Sequence, residues 1–239
     1  METWDYASVV GMMMYVSSNT RPDIQFAVHQ FARFVQRPMK AHKDAIKRIC
    51  RYLVGTKDKG ITFSPVGNPT LECFVDADFA GLWGAEDTQD PVCVKSRTGF
   101  LLTFGGCPLL WVSKLQTEVA LSTTEAEYIA LSQAMKELLP TKHLLLEVTQ
   151  ALGVKLSEEA TTYCKVFEDN QSCIAPAKSA NMNPRTKHIT IEYHFFRQLV
   201  ADGKVQIEWI PTDQQKADIL TKGLVAAKFE ANRMLVLGW

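Results

Sequence analysis

The sequence predicts an α/β fold of the mixed α+β kind, preceded by a small helical segment, and three observations carry that expectation. Short runs at 71–75, 98–104 and 109–113 have the composition and turn spacing of an antiparallel meander. From Ser122 the apolar period becomes helical and stays so to about Leu152. Two later strands, 161–167 and 205–210, alternate with further helical stretches.

Taken in order, residues 5–17 read as a first helix. Asn19-Thr20-Arg21-Pro22-Asp23 ends it and starts a second, with Pro22 and Asp23 in the first turn, where a missing N–H is tolerated and an acid complements the helix dipole. Ile24, Ala27, Val28, Phe31 and Val35 form its apolar stripe. A third helix covers about 41–54, with Ala45, Ile46, Ile49, Cys50 and Leu53 inward. Its other side carries Lys43, Lys47 and Arg51 at steps of four, either as a solvated face or as a row of phosphate contacts, which needs several cations together. Residues 60–63 and 71–75 read as strands and 81–95 as a turn-rich loop. Beyond the long helix come a strand at 161–167, a short helix at 170–179 that Pro176 should bend, and a longer helix at 187–202 ended by Gly203. A strand at 205–210 and helices at 214–222 and 226–237 complete the chain. The one seam lies near 64–70, which divides the sequence into a helical segment, 1–65, and a larger α/β domain, 66–239.

The 239 residues are 46% hydrophobic and 22% charged, ordinary for a globular protein with a sizeable core. The formal net charge is zero but unevenly spread: residues 1–65 hold ten Lys/Arg against five Asp/Glu, and the remainder sixteen against twenty-one. A basic segment beside an acidic one suits a grip on a polyanion next to a metal–carboxylate site, and equally two surfaces that attract each other. The six cysteines form no C-x-x-C pair and read as reduced core residues of an intracellular protein. The start does not read as a signal peptide, and the apolar run at 11–16 is too short to span a membrane.

The acids are more informative. Val75-Asp76-Ala77-Asp78 ends a strand of alternating apolar residues, and an ionised carboxylate there needs either a turn or a cation to justify its desolvation. Ser122-Thr123-Thr124-Glu125-Ala126-Glu127-Tyr128 contains a capping box, which accounts for Glu125. Glu127 lies about 200° further round the helix, cannot share that task, and is left for function. Glu168 and Asp169 end a second strand and alternate in direction, with Asp169 also a possible helix N-cap. Asp218 follows within Lys216-Ala217-Asp218-Ile219-Leu220-Thr221-Lys222. A strand Asp, a helix Glu, a strand Asp and a helix Asp supply the converging hard oxygens that two-metal phosphodiester chemistry requires.

Together with Lys95-Ser96-Arg97-Thr98-Gly99, Asn170-Gln171-Ser172 and Arg185-Thr186-Lys187-His188-Ile189, these stretches resemble the ribonuclease H domain of copia-type LTR retrotransposon Pol polyproteins. Thr20-Arg21-Pro22-Asp23-Ile24 and 47–56 resemble the thumb or connection-like end of the same element's reverse transcriptase. The resemblance covers nearly the whole chain in the family's order. It implies a ribonuclease H-like five-stranded mixed sheet flanked by helices, two Mg²⁺ ions (Mn²⁺ as the alternative), and endonucleolytic cleavage of the RNA strand of an RNA–DNA hybrid. Carried over by position, the catalytic and metal-binding acids are Asp76, Glu127, Asp169 and Asp218. Asp76 and Asp169 would sit on neighbouring strands, while Asp78, Glu125 and Glu168 are near alternatives. Ser122, Thr123, Asn170 and Gln171 are candidates for contact with the hybrid, and Lys114, Arg185 and Lys187 for phosphate. The implied partners are the hybrid and the remainder of the reverse transcriptase, in the cytoplasm, a virus-like particle or the nucleus. The sequence departs from the pattern in having no histidine at 211–216. It also lacks a Tyr-x-Asp-Asp motif, so no polymerase activity is expected. The competing expectation is an inactive remnant that keeps the fold and binds nucleic acid.

Overall fold

The strand that is apolar on both faces becomes the centre of the sheet. Leu71–Asp78 (β1) is buried through most of its length and hydrogen-bonds to a neighbour on each side. A strand covered on both faces has to be nearly continuous in apolar residues, as this one is up to Asp76. The computed structural model describes residues 4–65, 69–84, 86, 89–178 and 190–239. Within them Arg97–Phe104 (β2) and Cys107–Leu115 (β3) extend the sheet antiparallel from one edge of β1, through a turn at Gly105 and Gly106, both at positive φ. Cys164–Glu168 (β4) and Val205–Trp209 (β5) extend it in parallel from the other. The order β3-β2-β1-β4-β5 is the five-stranded mixed sheet that the resemblance implies.

The helices fall on the two faces according to strand parity. Leu71, Cys73, Val75, Phe100 and Leu102 point to one face. There they meet Tyr128, Leu131, Met135 and Leu138 of Thr123–Ala151 (α4), and Phe196 and Leu199 of Thr190–Ala201 (α7). Phe74, Leu101 and Trp111 point the other way, against Ile219, Leu220, Val236 and Leu237 of Asp218–Thr221 (α8) and Ala226–Leu237 (α9). Tyr6–Asn19 (α1), a 3-10 turn at Pro22–Ile24, Gln25–Ala32 (α2) and Lys40–Gly55 (α3) form their own cluster around Val10, Val28, Ile46 and Ile49.

This helical segment is tied to the sheet at specific points. The Trp111 indole N–H donates to the Ser17 carbonyl at 2.7 Å, and the Arg97 guanidinium to Gln30 Oε1 at 2.7 Å. Arg33 pairs with Glu86 at 2.9 Å. At the C-terminus, Trp239 donates its indole N–H to the Gly60 carbonyl at 2.7 Å, and the guanidinium groups of Arg21 and Arg233 lie over its ring.

Three local expectations are corrected. Residues 60–63 are not a strand: the Thr62 N–H donates to the Leu237 carbonyl, so this stretch fastens the C-terminal helix instead of joining the sheet. The strand expected at 161–167 starts only at Cys164. The preceding residues form Glu158–Thr162 (α5), because the Ser157 hydroxyl accepts from the Ala160 N–H and local capping outweighs the β-preference of two threonines. The helix expected at 214–222 shrinks to α8. Gln215 turns its side chain inward, donating to the Val75 carbonyl at 2.8 Å and accepting from the Ala217 N–H, so the turn is built on tertiary bonds. Gln171–Lys178 (α6) follows β4, and the helix assigned there continues past Pro176.

Gly99 sits opposite Asp76 in the β1–β2 register and directly beneath α8. A Cβ there would lie 2.5 Å from Thr221 Cγ2 and 3.0 Å from Leu220 Cβ. Gly99→Ala therefore forces α8 off the sheet and is expected to destabilise the fold by about 1–3 kcal/mol, measured by urea unfolding.

Candidate active site

Parallel pairing of β1 with β4 brings two carboxyl-terminal strand ends side by side, where sheets of this kind present functional groups. Asp76 is the third residue from the end of β1 and 3% exposed. Asp169 is the first residue past β4, in a turn held from both sides. Asn170 Oδ1 accepts from the Ser172 N–H at 3.0 Å, and the Trp209 indole N–H donates to the Asp169 carbonyl at 3.1 Å. Glu127 arrives from the first turns of α4. Ser122 caps that helix by accepting from the Glu125 N–H at 3.2 Å, and the Glu125 carboxylate accepts from the Leu121 N–H at 2.8 Å, one residue earlier than a strict capping box requires. Gln116 pins the same turn to β2, donating to Thr98 Oγ1 and to the Ala126 carbonyl.

As a result, one carboxylate oxygen from each of Asp76, Glu127 and Asp169 lies within 4.8 Å of the others. Glu127 Oε2 is buried with no hydrogen-bond partner among the described residues. Three converging hard oxygens with an orphaned buried acceptor fit a small oxygen-seeking divalent cation.

Asp218 behaves differently from the other three. It is completely buried, but it is not part of that oxygen cluster, and both its oxygens are engaged by lysines. Lys222 Nζ is 2.7 Å from Asp218 Oδ1 and 3.5 Å from Asp76 Oδ2, and Lys228 of α9 pairs with Asp218 Oδ2. The Thr221 hydroxyl donates to Asp76 Oδ2. Lys222, Lys228 and Thr221 were given no role by sequence. Asp218-x-x-x-Lys222 carries a visible i,i+4 signal, whereas Lys228 comes from a separate helix.

The remaining candidates are spread over the surface. Ser122 and Asn170 use their side chains as caps. Thr123, Gln171 and Lys114 are exposed, and on α3 Arg51 is exposed while Lys43 and Lys47 are half-buried. Arg185 and Lys187 lie outside the described residues. Glu168, a near alternative to Asp169, is fully buried with Oε1 accepting from the Asn170 N–H at 3.1 Å. Asp78 folds back over Gly81, where a Cβ would come within 1.7 Å of its carboxylate. It lines a cleft of about 280 Å³ together with Phe26, Lys95, Arg97 and Lys222.

Crowding of acids governs the electrostatics. Burial pushes the Asp76 carboxyl up to about 6, with Lys222 opposing and Asp218 adding to the rise. Burial, then the charges of Glu168, Asp76 and Asp169, holds Glu127 well above the usual range. Glu168 is likewise raised by burial first, relieved in part by the Asn170 N–H. An acid whose folded-state value is raised binds more protons folded than unfolded. Stability of the metal-free protein therefore falls as pH rises from the ordinary Asp value toward 6. Asp76→Asn removes this charge and is expected to raise the melting temperature of the metal-free protein above pH 6. It should do so by roughly 2–4 °C per kcal/mol recovered, while weakening binding of Mn²⁺, both read by calorimetry.

No protein-family model matches the chain. The Retrovirus-related Pol polyprotein from transposon TNT 1-94 of Nicotiana tabacum is 42% identical over 231 residues, covering 97% of this chain and 16% of that protein. Those from transposons RE2 and RE1 of Arabidopsis thaliana are each 35% identical over 226 residues, covering 95% of this chain and 14% of theirs. The chain thus spans about one sixth of the length of the curated relatives it matches. Among solved structures, the N-terminal RNase H domain of rv2228c from Mycobacterium tuberculosis superposes with a TM-score of 0.39 at 14% identity, over 70% of this chain and 97% of that one. A foamy viral protease–reverse transcriptase bound to double-stranded DNA gives 0.49 at 10% identity, over 86% and 31%. These superpositions are loose, and it is the matching sequences, with the mixed sheet and its acids in order, that assign the chain: it belongs to the retrovirus-related Pol polyproteins of copia-type transposons.

Proposed function

We propose that the protein is an RNA–DNA hybrid ribonuclease, cutting the RNA strand by metal-assisted phosphodiester hydrolysis. The observation that carries this reading is the convergence of Asp76, Glu127 and Asp169 at adjoining strand ends. Asp76 and Glu127, both buried, provide fixed oxygens on rigid elements, and Asp169, half-buried, stands toward the solvent side from which a strand arrives. Divalent ions bound at the site, Mg²⁺ or Mn²⁺, would supply the Lewis acidity for activating water and stabilising the leaving oxygen. The protein keeps the acids close against their mutual repulsion, with Thr221 and Lys222 orienting Asp76. Asp218 acts through Lys222 in this arrangement.

The same reading makes residues 1–65 the end of a reverse transcriptase and 66–239 the nuclease domain. The remainder of the polymerase and the hybrid are the partners. Exposed Thr123, Gln171 and Lys114, and the α3 stripe, are the surfaces that would meet the nucleic acid. Among the described residues no helix is long and apolar enough to cross a membrane.

A second reading, an inert remnant that still binds nucleic acid, is favoured by the double lysine pairing of Asp218. A labelled RNA–DNA duplex with Mg²⁺ separates the two. The nuclease reading expects cleavage, reduced roughly a hundredfold or more by Asp76→Asn or Asp169→Asn. Retained binding without any cleavage by the parent chain selects the remnant. In the same system, changing Lys43, Lys47 and Arg51 together to Ala is expected to lower the slope of log affinity against log salt by about 2–3. An unchanged slope returns the stripe to a solvated face.

A further inference from the structure

Building on the proposed metal site, we infer that Lys222 is the resident cation of the Asp218 side. The free protein then binds one divalent ion, at Asp76, Glu127 and Asp169, and a second ion enters only by displacing the Lys222 ammonium.

The geometry is asymmetric. A second ion beside the first would have to share Asp76 and recruit Asp218, since those carboxylates face each other across β1 and α8. The Lys222 ammonium already lies between them, 2.7 Å from one and 3.5 Å from the other. A Mg²⁺-sized ion requires oxygens at about 2.1 Å. It cannot share that space with an ammonium at hydrogen-bond distance from the same oxygen. Lys228 holds the other oxygen of Asp218, so neither is free to turn toward an incoming ion. The Asp76–Glu127–Asp169 side has no such occupant among the described residues, and Glu127 Oε2 there lacks a hydrogen-bond partner.

Charge balance points the same way. Asp76 and Asp218 together need cationic compensation inside a buried site, and a lysine from the chain supplies it without any ion. Of the pair, the ammonium is the partner able to leave. The Lys222 side chain is 35% exposed on a flexible stem, whereas Asp218 is fully buried at the start of α8. The Thr221 hydroxyl donates to Asp76 Oδ2, so this carboxylate has a partner besides the ammonium.

The test is a count of bound ions, independent of cleavage. Mn²⁺ titrated into the full chain, followed by calorimetry and by electron paramagnetic resonance, should fill one site per chain. Spin-coupled ion pairs should appear only in large excess. Lys222→Met, which keeps the apolar stem and removes the charge, is expected to tighten the second site by about tenfold or more and bring the coupled signal to low equivalents. Lys222→Arg retains a cation and is expected to keep the single site. Two ions bound with similar affinity by the parent chain overturn the inference, as does a folded Lys222→Met that still takes one. If Lys222→Met does not fold, the parent titration decides alone. No Mn²⁺ bound by the parent chain sinks the metal-site reading itself, a result distinct from a second ion arriving early.

Discussion

The structure depends on keeping several carboxylates together in a place where water cannot screen them. Asp76, Glu127 and Glu168 are all buried, with Asp169 half-buried beside them, and the first three are held above their ordinary values because burial disfavours charge and each raises its neighbours. A flexible scaffold would relieve this by letting the side chains swing apart. The acids are instead mounted on strand ends and a helix start whose positions are set by core packing, and the turn after β4 is fastened by Trp209 and Asn170. The electrostatic cost is local, while the apolar core that resists it spans both faces of the sheet.

That constraint explains otherwise unrelated details on the α8 face. Gly99 lacks a side chain where α8 crosses β2, allowing Thr221 to reach Asp76. Gln215 uses its amide to bind the Val75 carbonyl, immediately before Asp76, so the turn leading into α8 is anchored to the strand it serves. Lys228 reaches Asp218 from α9, and α9 ends in Trp239, gripped by Arg21, Arg233 and the Gly60 carbonyl. The position of a buried carboxylate is thus linked by contiguous contacts to the helical segment at the start of the chain. The charge excess of residues 1–65 is partly met within the fold, where Arg33 pairs with Glu86 beyond the segment, while Arg21 is engaged by Asp23 inside it. Those two cations are engaged within the fold.

Elements whose pattern was set by burial were legible from the residues alone. The β1 alternation, the meander and the long helix starting at Ser122 all appear where expected, and the separation of Glu125 from Glu127 follows from helical periodicity. What was not legible depended on tertiary partners. Residues 60–63 alternate like a strand but lie against α9. Thr161 and Thr162 are overruled by the cap at Ser157, and Gln214–Lys216 lose a helix to the inward turn of Gln215. Asp218 looked equivalent to the other acids because its residue type and order match. Its place outside the three-acid cluster, between Lys222 and a Lys228 that arrives from a separate helix, is what distinguishes it.

The choice between Glu168 and Asp169 shows how burial sorts adjacent acids. Alternation along β4 sends them to opposite sides, and both remain near Glu127 and Asp76. Glu168 is completely buried, spends Oε1 on the Asn170 N–H, and leaves Oε2 without a partner among the described residues. Asp169 is half-buried and is the one whose oxygen joins those of Asp76 and Glu127. A cation bound by those three would lessen the repulsion on Glu168 but not its desolvation, because Glu168 stays outside the cluster. Burial and its acidic neighbours hold the Glu168 carboxyl well above the usual range, behind the site and not in it. Two neighbouring carboxyls on one turn are thus sorted by burial, because one faces the core and the other the cluster.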